Sequence, residues 1–224
     1  MKIGIKSFLL ISTLAGALTL FAQQRVPNRG QTPPPKEQLH EIAKQRGGRL
    51  VLRYRPSGNR TFSDLADLGR NSDAVIIGRT LVHRPHLTPS GNMITNDYLV
   101  KVVEVIKGDI QNGRSITVKI PGGAYKFPDG TYAAIVADGY REPDDRVIYA
   151  FFLKARPNSN DYRLVSESQG AFALKREGVE SADTDVTHPV VTNYRGLSPV
   201  EFLRQLHKSV PLQKRNPPAR NLAR

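Results

Sequence analysis

The 224-residue sequence contains no cysteine, no tryptophan and only two methionines. Without cysteine there is no disulfide framework, no Cys-ligated zinc or iron–sulfur site, no thiol nucleophile and no lipid-modified N-terminal cysteine. Long apolar stretches are scarce as well. The longest uncharged apolar run, residues 8–21, falls short of the ~20 residues that a membrane-spanning helix needs. Local catalytic signatures are also missing: there is no Gly-x-Ser-x-Gly elbow, dinucleotide fingerprint or zinc-protease helix. Pro121-Gly122-Gly123 follows a strand pattern but lacks the Lys-Ser/Thr of a phosphate loop, so it reads as a turn. No cofactor is implied.

A hydrophobic content of 39% with 24% charged residues is that of a globular domain. At the N-terminus, Lys2 and Lys6 precede the uncharged run Phe8–Phe21, which ends at the small residue Ala22. This is the pattern of a secretory signal peptide over residues 1–22 with cleavage after Ala22, although Leu20 is larger than the small residue preferred two positions earlier. An uncleaved anchor is the alternative. The mature protein is expected to be exported, to the periplasm or the medium, with no transmembrane segment.

The formal charge of +13 is unevenly spread. Residues 23–60 hold nine basic side chains against two acidic, residues 199–224 hold six against one, and residues 61–198 carry −1. A nucleic-acid-binding domain keeps its basic groups on the folded docking face, whereas here they are in the flanks. The partner expected from charge is an unidentified protein or an anionic polymer or surface rather than a specific nucleic acid. The flanks would act as tethers, or simply as solubilising segments.

The chain divides into regions. Residues 23–36, with Pro33-Pro34-Pro35, read as a disordered linker. Residues 37–60 read as a short helix stopped by Gly47-Gly48, then an alternating strand with Leu50, Leu52 and Tyr54 on one side and Arg49, Val51, Arg53 and Arg55 on the other. Residues 61–210 read as a mainly β domain. A capping box at Thr61 and Asp64 opens a short helix there, and strands are expected at 74–83, 96–108, 115–120, 147–153 and 171–174, with weaker runs at 132–136 and 162–165. Gly78 marks a bend or close backbone approach, and the stretch from His83 to Gly91 reads as a loop. The strand ending at Gly108 is apolar on both faces, as for a central strand. Ser198-Pro199-Val200-Glu201 supplies an N-cap, a first-turn proline and a third-position glutamate for a helix over 199–209. Residues 211–224 read as a disordered basic tail. Five or six short strands with helices only at the ends predict a small antiparallel barrel or sandwich, preferably a barrel.

Ser72-Asp73-Ala74-Val75-Ile76-Ile77-Gly78, then Tyr98 through Gly108, then Ile116-Thr-Val-Lys-Ile120, resemble the opening strands of netrin-like domains, the family that includes tissue inhibitors of metalloproteinases. The resemblance covers residues 72–176. It implies a five-stranded barrel of the oligonucleotide/oligosaccharide-binding type that serves as a binding module. Protease inhibition through an N-terminal cysteine does not carry over, because the chain has none.

Several residues are candidates for chemistry. Tyr125, Phe127 and Tyr140 fall in expected loops, where exposed aromatics anchor partners or else pack against the rim, and Arg53 and Arg55 add charge. No metal site is assigned: His83 and His86, the only histidines close in sequence, and Asp138 and Asp144 of the acidic loop 138–145, which could hold calcium, are weak metal candidates that read otherwise as exposed loop histidines and a solvated hairpin. Glu104 shares the register of Tyr98, Val100, Val102 and Ile106, so it needs an arginine partner, with Arg79 in reach, or a local bulge. Nothing in the sequence assembles a nucleophile, base and orienter. The expectation is a non-enzymatic exported binding module, with a metal-dependent hydrolase using His83 and His86 as the alternative.

Overall fold

The computed structural model describes residues 38–54, 60–157 and 159–210. In chain order these form α1 (Leu39–Gln45), β1 (Arg49–Tyr54), α2 (Leu65–Arg70), β2 (Ala74–Leu87), β3 (Ile94–Lys107), β4 (Ser115–Pro121) and β5 (Gly123–Lys126). There follow β6 (Tyr132–Ala137), β7 (Ile148–Ala155), β8 (Asp161–Leu164), β9 (Ala171–Lys175), β10 (Gly178–Ser181), α3 (Pro189–Tyr194) and α4 (Pro199–Ser209). The fold is mainly β, and none of the described helices is long and apolar enough to cross a membrane. The signal-peptide reading with its Ala22 cleavage site, the linker 23–36, Arg55 and the tail 211–224 lie outside the described residues.

Local signals account for the helix ends. Ser198 Oγ accepts the Glu201 amide at 3.2 Å with Pro199 in the first turn, and α4 runs over the residues expected. At α2 the cap differs from the sequence reading: Asp64, not Thr61, accepts the Asp67 amide, at 2.7 Å. A single Asp in extended backbone satisfies the orphan amide one residue before the helix starts, which makes the box unnecessary. After α1 the chain turns through Gly47 and Gly48 at φ +75° and +89°, a region that costs a side-chain-bearing residue energy.

β1, β6 and β5 form a three-stranded sheet in that order, and the larger sheet has the order β10-β9-β7-β2-β3-β4-β8. β8 also pairs with β7, so the pairings β7-β2-β3-β4-β8 return to β7. The expected all-antiparallel arrangement is corrected at two places, because β4–β8 and β1–β6 are parallel. Around an odd number of strands direction cannot alternate all the way, so a five-membered cycle requires one parallel pair, and β4–β8 is that pair. β1 and β6 are far apart in sequence, and the connection between them leaves β6 running in the same direction as β1.

Three apolar clusters hold these layers. Val75, Ile77, Ala150, Phe152 and Phe172 on one face of β2, β7 and β9 meet Leu65 and Leu68 of α2, Val190 of α3, and Phe202 and Leu206 of α4. On the other face Ala74, Ile76, Tyr149, Phe151 and Leu153 meet Tyr98, Val100, Val118, Ile120 and Leu164. β2 and β7 are therefore apolar on both faces because each face has its own core. β3, expected to be buried on both faces, is central in the pairing order but leaves Leu99 and Val103 37% and 52% exposed. The third cluster joins Leu39, Ala43 and Leu50 to Ile94, Phe127, Ala133 and Ile135. Residues 39–54, read as a region ahead of the 61–210 unit, thus pack directly against β5 and β6. A fully buried leucine of this kind contributes roughly 1.5–3 kcal/mol.

Register shifts between β2 and β3 resolve the Glu104 problem. Gly78 stands opposite Val102 while Ile77 stands opposite Glu104, which leaves Val103 as the extra residue of a bulge. Past it the alternation changes face, so Ile106 joins Val75 and Ile77 under the helices, and Glu104, opposite Ile77, lies on that same side of the sheet. Its partner is His207 Nε2 of α4 at 2.8 Å, not the expected Arg79, which lies opposite Lys101. Gly78 is a close-approach position, as expected: a Cβ there would lie 2.4 Å from Val100 Cγ1.

Candidate functional site

Residues directly opposite one another on paired strands share a face. Register places Lys154 of β7 opposite Arg163 of β8, Arg163 opposite Lys119 of β4, Lys119 opposite Asp97 of β3, and Asp97 opposite Arg84 of β2. Four basic side chains and one acidic one therefore form a row across the outer wall of five consecutive strands. Lys119 is held by Asp97 at 2.8 Å and Asp161 at 3.5 Å, and Lys154 by Asp73 at 3.0 Å. The Lys154 contact and an amide from Ala155 offset the burial that would otherwise raise the Asp73 carboxyl, and leave it below the usual carboxylate range. Arg84, Arg163 and the neighbouring Arg156 are exposed and make no ion pair among the described residues.

Arg156 and Arg163 border a cleft of about 410 Å³ whose floor and walls include Thr95, Lys119, Ile120, Pro121, Pro157, Leu164 and Glu167. The volume is in the range of small-ligand sites. One end is built on a constrained turn. Ser166 and Glu167 both occupy the left-handed region, at φ +53° and +49°, which costs about 1–3 kcal/mol for each residue that is not glycine. The fully buried Gln169 offsets this by accepting the Phe62 amide and donating to the Arg60 carbonyl, each at 3.1 Å, while Ser166 Oγ donates to the same carbonyl. Tyr54 of β1 donates a short hydrogen bond to the Glu167 carboxylate. Burial first, then that bond and the charge behind it, hold the Tyr54 phenol far above its ordinary value.

A second polar group lies deeper. Asn96 and Tyr98, 2% and 1% exposed, stand beside Tyr140 and Glu142, and Asn96 Nδ2 donates to Glu142 Oε2 at 3.3 Å. Asn96 Oδ1 and the hydroxyls of Tyr98 and Tyr140 are buried without a hydrogen bond of ordinary geometry. Burial raises the Glu142 carboxyl, and the nearby His83 and Tyr98 only partly counter it. Burial likewise pushes the Tyr149 phenol up to about 12.

The residues singled out in the sequence are dispersed. β2 extends to Leu87, so His83 and His86 are on a strand rather than in a loop. His83 Nδ1 lies 3.1 Å from Asp145 and stacks on Tyr98, and His86 lies 3.6 Å from Asp97. Each serves a different carboxylate. The acidic loop also splits: Asp138 pairs with Arg53 at 3.1 Å, Asp144 lies 3.8 Å from Lys175, and Glu142 turns inward. No group of three His, Cys, Asp or Glu side chains converges among the described residues. Phe127 is 5% exposed and stacks on His40 at 4.2 Å, with Tyr125, on β5 rather than in a loop, edge-on to it. The Tyr140 hydroxyl is also buried. Phe127 is thus buried in the third cluster, while Tyr125 and Tyr140 are half-buried, packed against the third and second clusters respectively.

The basic row escapes sequence reasoning because its members are consecutive only across strands. The available signal is one basic residue on the outward parity of β2, β4, β7 and β8, with Asp97 on β3. His188, isolated in sequence, is likewise paired, its Nδ1 2.7 Å from the buried Asp183, which also accepts from Ser168 Oγ at 3.2 Å. No protein-family model matches the chain, and no curated protein is significantly similar to it.

Proposed function

We propose that this chain is an exported, non-catalytic binding module that takes an anionic partner on the β4–β8 wall of a five-stranded barrel. The five-membered cycle of pairings around an apolar cluster, with its single parallel pair, supports reading the cycle as a closed barrel of the netrin-like, oligonucleotide/oligosaccharide-binding type. The observation that carries the function is the cleft in which Arg156 and Arg163 stand exposed without an ion-pair partner among the described residues, beside the apolar lining of Ile120, Pro121 and Leu164. An unpaired guanidinium offers two parallel donors to a carboxylate, sulfate or phosphate. Glu167 and Thr95 add an acceptor and a hydroxyl that orient a ligand bearing hydroxyl groups. Binding rather than turnover fits the dispersal of the histidines, with His83 at Asp145, His86 at Asp97, His188 at Asp183 and His207 at Glu104. The basic flanks add untargeted attraction at long range.

The test uses the mature chain and heparin as the probe. The double variant R156E/R163E should weaken binding and lower the slope of log affinity against log salt by about two, one for each contact removed. A slope and affinity equal to wild type would place the binding in the flanks alone and reject the cleft.

A further inference from the structure

The open edge of β1 points to a second interaction of a different kind. β1 is the terminal strand of its sheet. Its parallel ladder with β6 starts with the Tyr132 amide donating to the Gly48 carbonyl at 2.9 Å and ends with the Asp138 amide donating to the Tyr54 carbonyl at 2.8 Å. Main-chain direction alternates along a strand, so Gly48, Leu50, Leu52 and Tyr54 face β6. The amides and carbonyls of Arg49, Val51 and Arg53 then face away from the sheet, and no backbone group among the described residues bonds to them. The corresponding edge at β10 is closed, with the Val179 amide and carbonyl bonded to Leu197 and Gly196 at 2.8 Å each.

We propose that this edge accepts an extended acidic segment of a protein partner as an additional strand. The side chains of Arg49, Val51 and Arg53 lie on one exposed face, with Val51 51% exposed between the two arginines. An added strand places every second residue opposite these three. The matching pattern is acidic–x–apolar–x–acidic. The arginines also decide against the simplest competitor, a second copy of this chain, since antiparallel pairing of two β1 strands would set Arg49 against Arg53 twice. Arg53 already meets Asp138, but both side chains are well exposed, and such a pair is weak enough to share.

The probe is an acetylated and amidated heptapeptide of alternating threonine with glutamate, valine and glutamate at its second, fourth and sixth positions. In the free full-length chain the amides of Arg49, Val51 and Arg53 should exchange with solvent quickly while those of Leu50, Leu52 and Tyr54 are protected, and the peptide should slow the first set. Lysine in place of both glutamates should weaken binding by about tenfold. V51P removes only an outward amide, a position where edge strands tolerate proline, so it should fold, bind heparin as wild type does, and lose the peptide. Protection of the odd-numbered amides before peptide is added, indifference of binding to the sign of the peptide's charge, or undiminished binding by V51P would each overturn the proposal. If V51P does not fold, the exchange pattern and the charge-reversed peptide decide.

Discussion

Replacing Leu50 by alanine should destabilise the whole domain, whereas replacing its neighbour Val51 should not. Leu50 is 1% exposed and sits among Leu39, Ala43, Ile94, Phe127, Ala133 and Ile135, while Val51 is 51% exposed on the other face of the same strand. Truncating a buried leucine costs about 2–5 kcal/mol, the larger figures belonging to sites that cannot close over the cavity. β1 is an edge strand with one free side, so partial collapse is available and about 2–3 kcal/mol is the expected loss. For a domain of this size, that lowers the melting temperature by roughly 4–12 °C. V51A should cost about 0.5 kcal/mol or less. Urea unfolding followed by far-ultraviolet circular dichroism and by tyrosine fluorescence would measure both, the chain having eight tyrosines and no tryptophan. The two probes should move together. A loss below about 1 kcal/mol for L50A, or a transition that splits and leaves its larger part unmoved, would show that residues 39–54 are an appendage and that the third cluster does not share in cooperative unfolding.

The Glu104–His207 pair and Glu142 make opposite predictions about pH. The hydrogen bond that His207 donates to the Glu104 carboxylate raises the His207 imidazole, so its stabilisation is complete below the ordinary histidine value and disappears as pH rises through the folded one. E104Q should therefore fall behind wild type by about 0.3–1 kcal/mol at pH 5.5 in low salt, and the gap should close by pH 8.5. A gap that is the same at both pH values in urea midpoints would refute the linkage. Burial raises Glu142, so the folded state favours its neutral form and wild type loses stability as pH climbs from the ordinary carboxylate value through the raised one. E142Q, which retains an oxygen for Asn96, should match wild type near pH 4 and exceed it at pH 7 by on the order of 1 kcal/mol. Equal stability at pH 7 would mean that water or His83 compensates the buried charge fully.

What could be seen in the sequence depended on how far apart the determining residues lie. α4 was legible to the residue because Ser198, Pro199 and Glu201 act within one turn, and the two faces of β1 followed from alternation. The β5 strand was hidden by Gly122 and Gly123, which read as a turn but hinge β4 into the second sheet. α3 and β10 lie in a polar stretch, 177–197, where burial of Val179, Val190 and Val191 comes from neighbours distant in sequence. The reversal of parity at Val103 and the partner of Glu104 required the β2–β3 register. The basic wall is the extreme case, since residues 61–198 sum to −1 and only strand order reveals that Arg84, Lys119, Lys154 and Arg163 align.

The parallel ladder between β1 and β6 also sets a waiting time. Arg49 pairs at the level of Tyr132, so β1, the first strand among the described residues, has no partner until about 80 more residues have followed, roughly 4–16 s at ordinary rates of synthesis. During that interval a six-residue strand with leucines on one side is available to any exposed strand of another chain. Arg49 and Arg53 repel the identical segment on neighbouring nascent chains, so the same charges that would select a partner in the finished protein keep β1 single while it waits.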